Sequence, residues 1–95
     1  MEVHIDGSRI LDEAAFHREI ASALAFPAHY GANLNALWDT LTTDIARPIR
    51  LVWIDANISK LALGNRFNSI VELLQQVQKQ DIDWGLDERF EFMMT

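Results

Sequence analysis

Apolar and polar residues alternate from the first positions: Val3 and Ile5 share one side, Glu2, His4 and Asp6 the other, and Gly7 ends the run. A period of two is that of a strand with one face buried. From Ala15 the period changes. Ala15, Phe16, Ile20, Ala23 and Leu24 recur at three and four, with Arg18, Glu19 and Ser22 off that stripe, which predicts an amphipathic helix capped by Asp12 and closed at Pro27. The link from Phe26 to Ala32 holds Pro27 and Gly31 and reads as a turn region. Asn33 is placed to cap a second helix of about three turns. Along it Leu34, Leu37 and Leu41 form the apolar stripe, Trp38 lies at the margin, and Asn35, Asp39 and Thr42 take the other side.

Pro48 then opens Ile49-Arg50-Leu51-Val52-Trp53-Ile54, a run too short and too β-branched for a core helix and suited to a central strand. Asn57 to Gly64 is assigned no element. Beyond it, Phe67, Ile70, Val71, Leu74 and Val77 turn inward while Glu72, Gln75, Gln76 and Lys79 turn outward, the clearest helix in the chain, with a Gln-rich end expected to fray. Arg89 to Met94 alternates like the first strand. Strands separated by helices require crossovers and hence a parallel sheet. Because the outer strands alternate, helices should cover one face only, giving a two-layer α/β domain with a three-stranded parallel sheet.

Composition narrows the function. Over 95 residues, 14 Asp and Glu against 8 Lys and Arg leave a net charge of -6, with 49% hydrophobic residues and no cysteine. The expectation is one folded domain spanning residues 1–95, with one modest core and little room for a deep cleft. Disulfides and thiolate zinc sites are excluded, no apolar run approaches the ~18 residues of a membrane span, and the start lacks the pattern of a signal peptide. A cytoplasmic setting is expected. Negative charge repels phosphate backbones, so direct nucleic-acid binding is disfavoured and a basic protein surface is the favoured partner.

Candidate catalytic chemistry is sparse. His4, His17 and His29 fall on a strand, a helix and a loop, without the spacing of a metal site. Gly31 and Gly64 stand alone rather than in a phosphate loop, and Ser8, Ser22, Ser59 and Ser69 sit in no nucleophile elbow. An enzyme using His29 or His4 as a base is the alternative from another class; the reading taken is not an enzyme, with no cofactor and no metal. The charge map points elsewhere. No Lys or Arg lies between Arg18 and Arg47, while Glu19, Asp39 and Asp44 do. Asp39 and Asp44 fall in the second half of the short helix, where the macrodipole disfavours anions by ~0.3 to 1 kcal/mol each. Surface solubility is the bland explanation, and core packing is the bland one for Trp38. A carboxylate beside a marginal aromatic is also the composition of an interface anchor.

The stretch Tyr30-Gly31-Ala32-Asn33-Leu34-Asn35-Ala36-Leu37-Trp38-Asp39 closely resembles the signature of the barstar family of intracellular ribonuclease inhibitors. The resemblance extends through Leu24-Ala25-Phe26-Pro27, Leu41-Thr42 and Pro48 to Trp53, and loosens beyond about Gln80. It implies a barstar-like fold, a small parallel three-stranded sheet covered by helices. It further implies an inhibitor, monomeric when free, that plugs the basic active site of a secreted ribonuclease or related toxin with carboxylates standing in for RNA phosphates. That family supplies a standard example of electrostatic steering and of a hot-spot aspartate, and the resemblance implies both here. By position Asp39 would be the central anion, with Trp38, Thr42, Asn33, Asn35, Tyr30, His29 and Gln76 around it. Against the family's best-known pattern, His29 stands for an aromatic hydroxyl, Asn35 for an aspartate, Gln76 for a glutamate, Thr43 for a glycine and Asp44 for a tryptophan. Two carboxylate-to-amide changes keep the shape and remove charge, and Asp44 restores one charge. The alternative is an interaction or immunity module of the same fold for a different protein partner.

Overall fold

A computed structural model describes residues 1–95. Strands β1 (Glu2–Asp6), β2 (Ile49–Ile54) and β3 (Phe90–Met94) form one sheet in the order β1-β2-β3, with both pairs parallel. Helices supply the crossovers: α1 (Glu13–Leu24) and α2 (Leu34–Asp39) between β1 and β2, α3 (Ala56–Leu63) and α4 (Asn65–Asp83) between β2 and β3. The class is α/β, with the three-stranded parallel sheet that the alternation predicted.

Register decides which side chains the helices cover. Val3, Leu51 and Phe92 align in one row and Ile5, Trp53 and Met94 in another, and β2 contributes Ile49, Leu51 and Trp53 to the core. On the opposite face Glu2, Arg50 and Glu91 align. There the Arg50 guanidinium stands 3.7 Å from Glu2 and 3.6 Å from Glu91, a half-exposed ladder that adds little stability and keeps the open face charged. Trp53 is the centre of the core, stacked on Phe16 at 5.2 Å and tilted against Phe67 at 5.1 Å. Its indole donates to Ser59 Oγ at 3.2 Å, and Ser59 in turn donates to the Gly7 carbonyl at 2.9 Å, so the buried polar atoms of this corner are satisfied. Any side chain on Gly7 would overlap the Asp55 carbonyl, which is why glycine stands where β1 ends.

Leu37 and Leu74 are both fully buried in this cluster. Truncating either to alanine should cost roughly 3 kcal/mol through lost transfer energy and a residual cavity. A fall in urea midpoint at unchanged slope is the expected reading; wild-type midpoints for both would show that α2 and α4 do not share this core.

Three local expectations are corrected. Asn57 to Gly64 lies almost wholly in α3, a helix hidden from periodicity because its inward residues are the small Ala56 and Ser59 while Ile58 and Leu61 face out. The Gln-rich end of α4 does not fray. It runs on to Asp83, because Gln78 accepts from the Phe92 amide at 2.7 Å and the buried Asp81 accepts from the Phe90 amide at 2.8 Å. These two bonds also close the outer edge of β3 against stray pairing. Finally, the second helix changes pitch: α2 passes into a π-helical turn over Thr40–Asp44.

Candidate protein-binding site

Asn33 starts the site. Its side chain accepts from the Ala36 amide at 2.8 Å, the N-cap expected from its short amide, and donates to the Gly31 carbonyl at 3.3 Å. Asn33 is therefore spent on holding α2. Leu37 and Leu41 enter the core, which leaves Asn35 and Asp39 on the exposed side of the same short element. Trp38 is half-buried and packs against the core by one flank, so the core and margin readings both hold for it. The Thr42 hydroxyl turns back to donate to the Trp38 carbonyl at 2.7 Å, within the π-helical turn that ends in the exposed Asp44.

Neither Asp39 nor Asp44 takes part in any of the eight ion pairs of the protein. What eases their place at the negative end of a helix is Arg47. Its Nη1 donates to the carbonyls of Leu41 at 2.7 Å and Ile45 at 2.8 Å, its Nε to Asp81 Oδ2 at 2.8 Å, and its Nη2 to Asp81 Oδ1 at 3.3 Å. One guanidinium thus caps the carbonyls after α2 and ties them to the end of α4. Burial alone would push the Asp81 carboxyl up, but the Arg47 bonds and the Phe90 amide outweigh it and hold it below the usual carboxylate range. Through this clamp and the shared core, α2 lies against α4, whose exposed side carries Gln76.

On the other flank, His29 is exposed and Tyr30 is half-buried, its hydroxyl 2.6 Å from His17 Nδ1. His17 Nε2 lies 3.2 Å from Glu13, which accepts from Arg66 Nε at 2.6 Å. The Arg66 bond, with His17 assisting, overcomes partial burial and holds the Glu13 carboxyl low, while burial pushes the Tyr30 phenol up. The structure thus leaves His29, Asn35, Asp39, Asp44 and Gln76 outward, with Trp38 and Tyr30 half-buried and Asn33 and Thr42 engaged internally.

Sequence reasoning missed Glu13, His17, Arg47, Arg66 and Asp81. Two signals were there to read. Asp81 continues the stripe Phe67, Ile70, Leu74, Val77 at the next helical step, where a charge must find a partner. Glu13 and His17 stand four apart, with His17 beside Phe16 on the apolar side. No three His, Asp or Glu side chains converge as a metal site, and no helix is long and apolar enough to cross a membrane.

The short second helix and its preceding link thus present an unpaired carboxylate beside a half-buried tryptophan. The family description Barstar (barnase inhibitor) matches residues 1–94, and the chain belongs to that family. It is 33% identical over 79 residues to the Bacillus subtilis (strain 168) protein named "Putative ribonuclease inhibitor YrdF", covering 83% of this chain and 87% of that one. The family is one of inhibitors, not of enzymes.

Proposed function

We propose that this protein is a cytoplasmic inhibitor that occludes the basic active site of a ribonuclease, with the Asp39 carboxylate standing where an RNA phosphate would. One observation carries the reading: Asp39 is exposed, has no cation of its own, and projects from a capped helix beside Trp38. A carboxylate held without an internal partner keeps its charge for a basic cleft, and an adjacent aromatic excludes water from the contact. The net charge of -6 would add attraction at a distance. The proposed partner is a secreted basic ribonuclease or related toxin, met before export by a monomeric inhibitor.

Titration into RNA cleavage by small basic microbial ribonucleases tests this. Linear loss of cleavage to one equivalent is expected for the cognate enzyme, and full cleavage by every such enzyme at large excess of the protein overturns the reading. A second reading, an immunity module of the same fold for another basic protein, is favoured by one feature: Asn35 and Gln76 carry amides on the exposed surface.

Those amides separate charge from fit. Restoring Asn35→Asp and Gln76→Glu should speed association with a bound ribonuclease at low salt, the gain fading as the Debye length shrinks to ~8 Å at physiological ionic strength. Dissociation should also become faster where an amide donates a buried hydrogen bond, since a carboxylate cannot donate and an unsatisfied group costs ~1 to 3 kcal/mol. Stopped-flow association at two salt concentrations, with a dissociation chase, measures both; no faster association at low salt means that the partner does not read this face through charge.

A further inference from the structure

The link between α1 and α2 rests on the core through the half-buried Phe26 and Tyr30. Two of its residues are left-handed, Ala25 at φ 53° and Ala32 at φ 52°. Its backbone bonds include Phe26 N–H to Ala21 O at 2.9 Å and Tyr30 N–H to Pro27 O at 3.0 Å. Between link and helix lies an open hollow of about 660 Å³, walled in part by Ala14, Arg18, Ala21, Ser22 and Phe26, with Tyr30 at its side. On the flank that faces the hollow Tyr30 lacks partner atoms, so dispersion alone does not define its position there.

A hydrogen-bonded chain does. From Tyr30 Oη to His17 Nδ1 is 2.6 Å and from His17 Nε2 to Glu13 Oε2 is 3.2 Å, with Arg66 holding the far oxygen of Glu13 at 2.6 Å. His17 thus joins the Glu13 carboxylate through Nε2 and the Tyr30 hydroxyl through Nδ1, using both ring nitrogens. Burial keeps the proton on that phenol. His17 is only 2% exposed, so no partner can reach it.

We propose that Tyr30, His17 and Glu13 form a strap across the hollow that pre-organises the α1–α2 link for its partner, with His17 and Glu13 as positioning residues. Ordering the link before encounter removes that cost from binding. The partner side of this inference rests on the inhibitor reading; the strap in the free protein does not.

Amide exchange in the free protein tests the strap. The reporter is the Tyr30 N–H, and the variants are Tyr30→Phe, His17→Leu and Glu13→Ala. Tyr30→Phe keeps the ring and its edge contact with Phe26 at 4.8 Å and removes only the oxygen. Exchange at Tyr30 should rise at least ~tenfold in each variant while β2 amides hold their protection. Unchanged exchange in Tyr30→Phe overturns the strap, as does an equal rise across β2, which would mark plain destabilisation. With a ribonuclease that the wild type inhibits, His17→Leu should weaken binding several-fold in the wild-type background and have no further effect in Tyr30→Phe. Equal losses in both backgrounds overturn the positioning role. A wild type that binds no ribonuclease overturns the inhibitor reading and the strap's purpose, while the exchange result still decides whether the strap exists.

Discussion

Replacing Asp39 by alanine is expected to weaken binding of the cognate ribonuclease by about 4 kcal/mol, roughly a thousandfold, while leaving the unfolding midpoint within ~0.5 kcal/mol of wild type. The two halves have one cause. Asp39 is exposed and takes part in none of the protein's ion pairs, so the free protein draws no contact energy from it and loses none with it. In the complex it would be the desolvated anion at the centre of the contact, flanked by Trp38. The magnitude is a general hot-spot figure carried by family resemblance, since a barstar-family aspartate is itself the standard example of such a residue. Isothermal titration and urea unfolding of the same preparation separate the terms. A stability loss as large as the binding loss would place Asp39 in the fold instead of the interface.

Asp81→Ala should do the reverse, costing the free protein ~3 to 5 kcal/mol, because it strands the Arg47 guanidinium, which is itself largely buried at 14% side-chain exposure. It also leaves the Phe90 amide without its acceptor. Much of a stability of ~5 to 15 kcal/mol would go. The pH dependence follows in sign. A carboxyl held below its unfolded value binds fewer protons when folded, so its contribution is complete above that unfolded value, near 3.8, and is lost as pH falls through the lower folded value. Wild-type urea midpoints should therefore fall steeply in acid below about pH 4, and Asp81→Asn should flatten that slope. An acid profile in the Asn variant that superimposes on wild type would show that this carboxyl does not couple folding to protons.

Short-range pattern carried the elements, and family resemblance carried the surface. Val3 and Ile5, the stripe from Ala15 to Leu24, Asn33 as a cap, and Phe67 to Val77 are each legible because a strand or helix repeats its environment every two or 3.6 residues. Where an element buries small or polar residues and exposes large apolar ones, as α3 does with Ser59 inward and Leu61 outward, that repeat is inverted and the pattern is silent. Asp39 as an outward carboxylate and Trp38 as its marginal neighbour were visible because both lie within one helix. The supports of the site were not. Arg47 meets Asp81 34 positions away, Arg66 meets Glu13 53 positions away, and Tyr30 meets His17 from a neighbouring element. Such pairs exist only once the chain has returned on itself: a buried charge requires some partner, and which one it gets is set by the packing of helices on the sheet. The sequence by itself thus determined the two-layer α/β architecture and the outward face of the second helix. Only the tertiary structure decided that Arg47, Asp81, His17 and Glu13 hold that face and its link in place.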